Sequence, residues 1–343
     1  MLGHTDIAID LGTSTVLAYI KGRGIVLREP AMAAVDTNTR NIIAVGDEAR
    51  RMQGRTPLNI KVVRPLRDGS VMDFDVTERM LRYFIHKIVG RRALSRPYAV
   101  VCVPSGVTDM EKRSIIEATL DAGARRAQLM DSAVAGALGA GLEVDQAYGS
   151  LLVDIGGGVT DISVVAMERA VVRTVAHAAG DTFDDTIMRF LRKKHNLMVG
   201  ERTAEEVKTT IGSAVRRTEQ LFMDVTGRNM VTGLPRTVRV NSDEITEVLE
   251  EPVQALVEQI QSVLERTPPE LAADVFDHGL TLLGGGAQLF ALDRALSRQL
   301  KLNCRVAEDP QACVCMGAGR TMEEGGGYER AMFDLKLPGR KRK

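Results

Sequence analysis

Two short stretches of the chain place a carboxylate directly before a tight glycine turn. In the first, Ile7-Ala8-Ile9-Asp10 runs into Leu11-Gly12-Thr13-Ser14; in the second, Leu151-Leu152-Val153-Asp154 runs into Ile155-Gly156-Gly157-Gly158. Phosphate oxygens need closely set backbone N–H donors, and glycine permits both the left-handed dihedrals and the main-chain approach that such a cradle requires. Two carboxylates brought to one phosphate chain would hold Mg²⁺ through its water shell, leaving the ion free to bridge β- and γ-phosphates. Asp10 and Asp154 are the candidates for that role, with Gly12, Thr13, Ser14, Gly156, Gly157 and Gly158 around the phosphates. A third run, Gly284-Gly285-Gly286, would let the backbone pass beside a base or the α-phosphate. Either acidic turn alone reads as an ordinary hairpin with a solvated acid; the runs taken together point to a nucleotide.

The elements that must position these residues repeat. Each acidic turn is preceded by an apolar strand and followed by another, Val16 to Ile20 and Ile162 to Val165, so each reads as a β-hairpin. Two copies so far apart predict two similar lobes rather than a short-period solenoid. Between them, Leu81, Phe84, Ile85 and Ile88 share one face of a helix over 76–89, and a strand over 99–103 follows. Thr108-Asp109-Met110-Glu111 is a capping box for a helix that Gly123 can close, and Thr203-Ala204-Glu205-Glu206 predicts a second box. A strand over 127–130 leads to a helix over 132–140 rich in Ala and Gly, which the segment 312–320 resembles; one such helix per lobe, crossing centrally, would make a hinge. The run Leu282-Leu283 is read as a strand entering the third glycine turn, with a helix from about Leu289.

Bulk composition narrows the function. A chain of 343 residues with 44% apolar content is enough for two cores. Lys plus Arg and Asp plus Glu balance at 45 each, so no overall field draws it to nucleic acid or an anionic surface. The first strand starts too early for a secretory leader, and no apolar run is long enough to span a bilayer, so a cytoplasmic protein is expected. Cys102, Cys304, Cys313 and Cys315 lack the spacing of a zinc site and are read as buried thiols; the five His are scattered and read as surface or core residues. Neither a Walker A loop nor a dinucleotide fingerprint is present.

With these residues in view, the chain resembles the actin, Hsp70 and sugar-kinase superfamily, and within it the MreB and Mbl cell-shape family. The stretches that carry this include Asp10-Leu11-Gly12-Thr13, Arg64-Pro65-Leu66-Arg67-Asp68-Gly69, Asp154-Ile155-Gly156-Gly157-Gly158, Ala179-Gly180-Asp181, Gly200-Glu201-Arg202-Thr203-Ala204-Glu205 and Thr232-Gly233-Leu234-Pro235. The resemblance implies an α/β, actin-like (ribonuclease H-like) duplicated fold of two lobes with a nucleotide cleft between them. It implies lobe I over 1–145 with an insert at about 33–75, and lobe II over 146–322 with an insert at about 182–250. The helix after 311 would cross back toward lobe I, and 323–343 would form a flexible basic tail. ATP (or GTP) with Mg²⁺ would be the ligand; Gly180, Asp181, Gly284 and Gly285 would add to its site, and Glu205 and Lys208 would contact ribose and adenine.

Departures from the family pattern bear on hydrolysis. The second Glu of the family's Glu-Glu-Pro, which positions the attacking water, is Ser132 here, in Asp131-Ser132-Ala133. A serine hydroxyl is a far poorer orienting group than a carboxylate, and losing such a group costs on the order of 10²–10⁴ in rate, so slow hydrolysis is expected. Thr160 and Asp161 remain as candidate γ-phosphate or water contacts; Asp131 should point the other way.

Filaments of the chain's own copies, contact with wall-synthesis membrane proteins and a place at the inner face of the membrane are implied by the family alone. Arg91 and Arg92 could meet anionic lipid while Leu94 inserts, and Arg340 to Lys343 could add to this. Three rivals stand beside the filament reading. A regulatory paralogue is motivated by Ser132, and a small-molecule kinase would use Asp131 as base. An Hsp70-like chaperone has no room after Met322 for a substrate domain.

Overall fold

Ile7, Ala8 and Ile9 are each 0% exposed, so the first strand shows no alternation between core and solvent. That is the signature of a central strand in a sheet covered on both faces. The structure is a computed structural model that describes residues 6–67, 70–90, 96–104, 107–324 and 328–333. It divides into a first unit, Met1–Tyr148, Val165–Val171 and Gln311–Lys343, and a second, Gly149–Val164 and Val172–Pro310.

The first unit opens with β1 (Ile7–Leu11), β2 (Thr15–Ile20) and β3 (Gly24–Pro30), each antiparallel to the one before. A small sheet follows from β4 (Ala33–Asp36), β5 (Ile42–Val45) and β6 (Ile60–Val63), with the short α1 (Asp47–Met52) between the last two. Glu29 ties this insert to the core: its buried carboxylate accepts from Lys87 Nζ and from the N–H of Asp47 at 3.4 Å. After β7 (Leu66–Arg67) and β8 (Ser70–Val71) comes α2 (Phe74–Val89), capped by the Asp73 carboxylate, which accepts from Val76 N–H at 3.1 Å. Leu81, Phe84 and Ile85 on its inner face are buried, as the helical spacing predicts. Then come β9 (Tyr98–Val103), α3 (Asp109–Asp121), β10 (Arg126–Asp131) and α4 (Ser132–Gly139). The Thr108–Glu111 capping box forms, and Gly123 closes α3 with φ +118°.

The second unit carries β11 (Ser150–Ile155), most of β12 (Thr160–Ala166) and of β13 (Arg169–Ala176), α5 (Gly180–His195), β14 (Leu197–Met198) and α6 (Glu201–Ile211). It continues with β15 (Phe222–Asn229), β16 (Pro235–Asn241), α7 (Ser242–Arg266), α8 (Pro269–His278), β17 (Leu280–Leu283), α9 (Leu292–Leu300) and β18 (Cys304–Val306). One expectation fails locally, and the helix expected near Leu289 starts slightly later, at Leu292. Instead of starting from a Thr203 cap, α6 begins at Glu201 behind an extended Gly200, with Glu201 placed favourably against the helix N-terminus. Ahead of Leu289, Gly285–Gln288 form a 3₁₀ turn, and Ala291 at φ +58° redirects the chain into α9.

The main sheets have strand orders β10-β9-β1-β2-β3 and β13-β12-β11-β17-β18. Each is built around an acidic-turn hairpin. On the far side of the hairpin's first strand lie two parallel neighbours, β9 and β10 in one sheet, β17 and β18 in the other. The sequence echo is therefore a repeat of sheet topology.

The last helix, α10 (Cys313–Glu323), lies in the first unit and packs on α4, so both small-residue helices belong to that unit. A Cβ on Gly139 would fall 1.8 Å from the Cys313 carbonyl oxygen, and one on Gly317 would fall 1.8 Å from that of Ala135. All four cysteines are buried, and none is in a disulfide. Beyond α10, residues 328–333 return to the β10 edge of the first main sheet. Met332 bridges Met130 antiparallel, Phe333 N–H donates to the Leu129 carbonyl at 3.0 Å, and Lys112 Nζ sits 4.0 Å above the Phe333 ring. Strand β10 is the sheet edge, and its unpaired backbone groups take the partner available. The basic end, 340–343, lies outside the described residues, as do Arg91, Arg92 and Leu94. Among the described residues no helix is long and apolar enough to cross a membrane.

Candidate functional site

The two acidic turns close in the same way. Leu11 pairs with Val16, and a Cβ on Gly12 would lie 2.7 Å from the Thr15 carbonyl oxygen. In the second hairpin the Gly156 N–H donates to the Val159 carbonyl at 2.9 Å, and a Cβ on Gly156 would lie 2.8 Å from that oxygen. The first glycine of each turn thus has no room for a side chain, which draws the backbone into a tight loop that can face a ligand.

Asp10 ends up packed beside the thiols of Cys102 and Cys315 in the first unit. Burial raises its carboxyl to about 7, and its charge in turn raises both thiols, already pushed up by burial. A carboxyl whose ionised form lacks compensation is one that a nearby cation would stabilise, so Asp10 fits a Mg²⁺ held through water. Asp154, at the matching position of β11, lies against the third glycine run: a Cβ on Gly284 would fall 2.4 Å from Asp154 Oδ1 and 2.4 Å from the Ile155 carbonyl oxygen. Gly284 also has φ +78°, and Gly285 opens the 3₁₀ turn behind it. Gly284→Ala is therefore expected to cost about 3 kcal/mol, from overpacking plus a strained dihedral, and a urea titration against wild type measures it.

Gly180 and Asp181 join the second turn through their backbones. Gly180 N–H donates to the Gly156 carbonyl at 3.1 Å and Asp181 N–H to the Gly157 carbonyl at 2.7 Å. The opening of α5 is thus latched to the turn, with the carbonyls of residues 156 and 157 directed at the helix. Lys208, on α6, reaches back to the same place. Its Nζ lies 2.8 and 2.9 Å from the two Asp184 carboxylate oxygens and donates to the Gly180 carbonyl at 3.2 Å. Burial pushes the Asp184 carboxyl up to about 6; Lys208 opposes that rise, while Glu205 and Asp181 add to it. Sequence reasoning missed Asp184. Its only signal is the spacing of one helical turn from Gly180, which acquires meaning once α6 is packed alongside.

The residues expected near the γ-phosphate are held by other bonds. Thr160 is fully buried and its hydroxyl donates to the Ala178 carbonyl at 2.6 Å, while Asp161 accepts from the Ser163 hydroxyl at 2.5 Å. Asp131 caps α4 by accepting the Ala133 N–H at 3.0 Å, and Ser132 is the first residue of that helix, 9% exposed.

A family model described as MreB/Mbl protein matches residues 4–329. Cell shape-determining protein Mbl of Bacillus cereus is 45% identical over 318 residues, covering 93% of this chain and 96% of that one. Cell shape-determining protein MreB of Escherichia coli is 43% identical over 323 residues, covering 93% of each. Among solved structures, MreB 5 of Spiroplasma citri bound to AMPPNP superimposes with a TM-score of 0.89 at 34% identity, covering 94% of this chain and 96% of that one.

Proposed function

The chain belongs to the MreB/Mbl family, with its actin-like fold, and from that premise we propose that it is a cell-shape cytoskeletal protein that binds Mg²⁺·ATP and assembles into filaments of its own copies. The observation that carries the nucleotide part is the duplicated turn. Gly12 and Gly156 each meet the carbonyl three residues on at nearly the same distance, and each follows a carboxylate two residues back. Gly12, Thr13, Ser14, Gly156, Gly157 and Gly158 are assigned to the phosphates, and Glu205 and Lys208 to the nucleoside. The relative that superimposes on this chain was solved with AMPPNP, an ATP analogue, which supports ATP over GTP. Asp10 and Asp154 would hold Mg²⁺ through water, and the ion when bound would neutralise the phosphate oxygens.

Hydrolysis is proposed to be slow. Ser132 brings a hydroxyl where the family has a carboxylate, Asp131 is committed to its helix cap, and Thr160 and Asp161 are engaged within the second unit. The protein would act at the inner face of the membrane, with wall-synthesis proteins as partners; family membership supports this part. A second reading, a regulatory paralogue that joins or caps filaments of a more active relative, is favoured by Ser132 alone.

Titration calorimetry of the purified protein with Mg²⁺·ATP, followed by sedimentation of the same sample, tests the proposal. Saturable binding with protein in the pellet is expected. No binding at millimolar ATP would sink the nucleotide assignment, and binding without any sedimentation at any salt or lipid condition would favour the regulatory reading.

A further inference from the structure

Most of the Asp184–Lys208 pair is withdrawn from water: Asp184 is 8% exposed, and the side chains are 11% and 14% exposed respectively. Burying an ion pair of this kind does little for stability, because desolvation cancels much of the attraction. What it does supply is direction. A lysine has a flexible four-carbon stem and no preferred orientation of its own. Here its ammonium donates to Asp184 Oδ2 and to one helix-opening carbonyl, that of Gly180, with Asp184 Oδ1 in ion-pair contact at 2.8 Å. Gly180 is also the residue whose N–H grips the Gly156 carbonyl, with Asp181 gripping Gly157 beside it. A continuous line of bonds therefore runs from α6 through Lys208 and the first turn of α5 to the glycine turn.

We propose that Asp184 is a positioning residue for the nucleotide, aiming Lys208 so that one ammonium couples the nucleoside side of the site on α6 to the Gly156–Gly158 phosphate turn. The proposal rests on the ATP-binding function given above. Asp184 itself touches no ligand; it acts through Lys208. Its removal should therefore matter only while Lys208 is present, which separates positioning from general packing.

Calorimetric titration of the full chain with Mg²⁺·ATP is run on wild type, Asp184→Asn, Lys208→Met and the double variant, with thermal unfolding of each. Each single substitution is expected to weaken ATP binding about tenfold, within the usual range for coupled sites, and the double should be no worse than either single. Asp184→Glu should recover part of the loss. Losses that add in the double variant, or an Asp184→Asn protein that binds as wild type and differs only in melting temperature, overturn the proposal. Should Asp184→Asn fail to fold, Lys208→Arg carries the test. It keeps the charge but cannot place a single ammonium between Asp184 and Gly180, so unchanged ATP affinity overturns the proposal equally. Wild type that binds no ATP defeats the functional reading and this inference together, whereas wild-type binding with unaffected variants defeats this inference alone.

Discussion

Ser132→Glu is expected to raise phosphate release from ATP by on the order of 10²-fold or more. Ser132 is the first residue of α4, at the end of strand β10, with 9% exposure, and the Asp131 carboxylate beside it is occupied by the Ala133 N–H. A glutamate there would lie at a helix N-terminus, where the exposed N–H dipoles favour an anion, so its carboxylate should stay ionised and able to orient a water. The serine hydroxyl can bond that water but cannot draw a proton from it. Steady-state phosphate release at saturating ATP measures the change, with ATP affinity followed in parallel. A variant that binds ATP as wild type and releases no more phosphate would place the defect elsewhere. The Thr160 and Asp161 side chains, already bonded to Ala178 and Ser163, would be the next to examine.

The largest expected loss of stability comes from Gly317→Ala. The added methyl would sit 1.8 Å from the Ala135 carbonyl oxygen and 2.8 Å from the Gly139 nitrogen, both backbone atoms that cannot swing aside. Relief requires α4 and α10 to separate along their contact, loosening the place where Ala135 and Cys313, both buried, meet the facing glycines. Overpacking commonly costs about 1–3 kcal/mol where side chains can yield, and a backbone clash on this scale should reach or exceed the top of that range. Equilibrium urea unfolding, or the yield of folded protein if the loss exceeds the protein's stability, gives the answer. Gly139→Ala, facing the Cys313 carbonyl at 1.8 Å from the other side of the same contact, should behave alike, and combining the two should cost less than their sum. A Gly317→Ala protein as stable as wild type would mean that the helices do not approach as closely as described.

Read together, the site residues divide by the range of the interactions that fix them. The acidic glycine turns were legible because everything they need is local. A strand, a carboxylate, and glycines where a side chain would strike the carbonyl three residues on are all spelled out within a few positions, and the second copy repeated the first. The Thr108 capping box and the inner face of α2 were readable for the same reason. Local signals misled where neighbours competed with them. Thr203 had the pattern of a cap, yet α6 starts at Glu201, and α9 starts just past Leu289, at Leu292, after a left-handed Ala291.

The sequence by itself determined the repeated local pattern, two carboxylates each set before a glycine turn, together with a third glycine run and the family to which they belong. Only tertiary structure decided which carboxylate meets Lys208, that Gly284 lies against Asp154, that α4 and α10 share a unit, and that Phe333 is held at the edge of a sheet. These contacts join residues far apart in the chain. Their partners are chosen by how helices and strands pack rather than by anything written beside either residue, so a residue such as Asp184 carries no mark of its role until α5 and α6 are side by side.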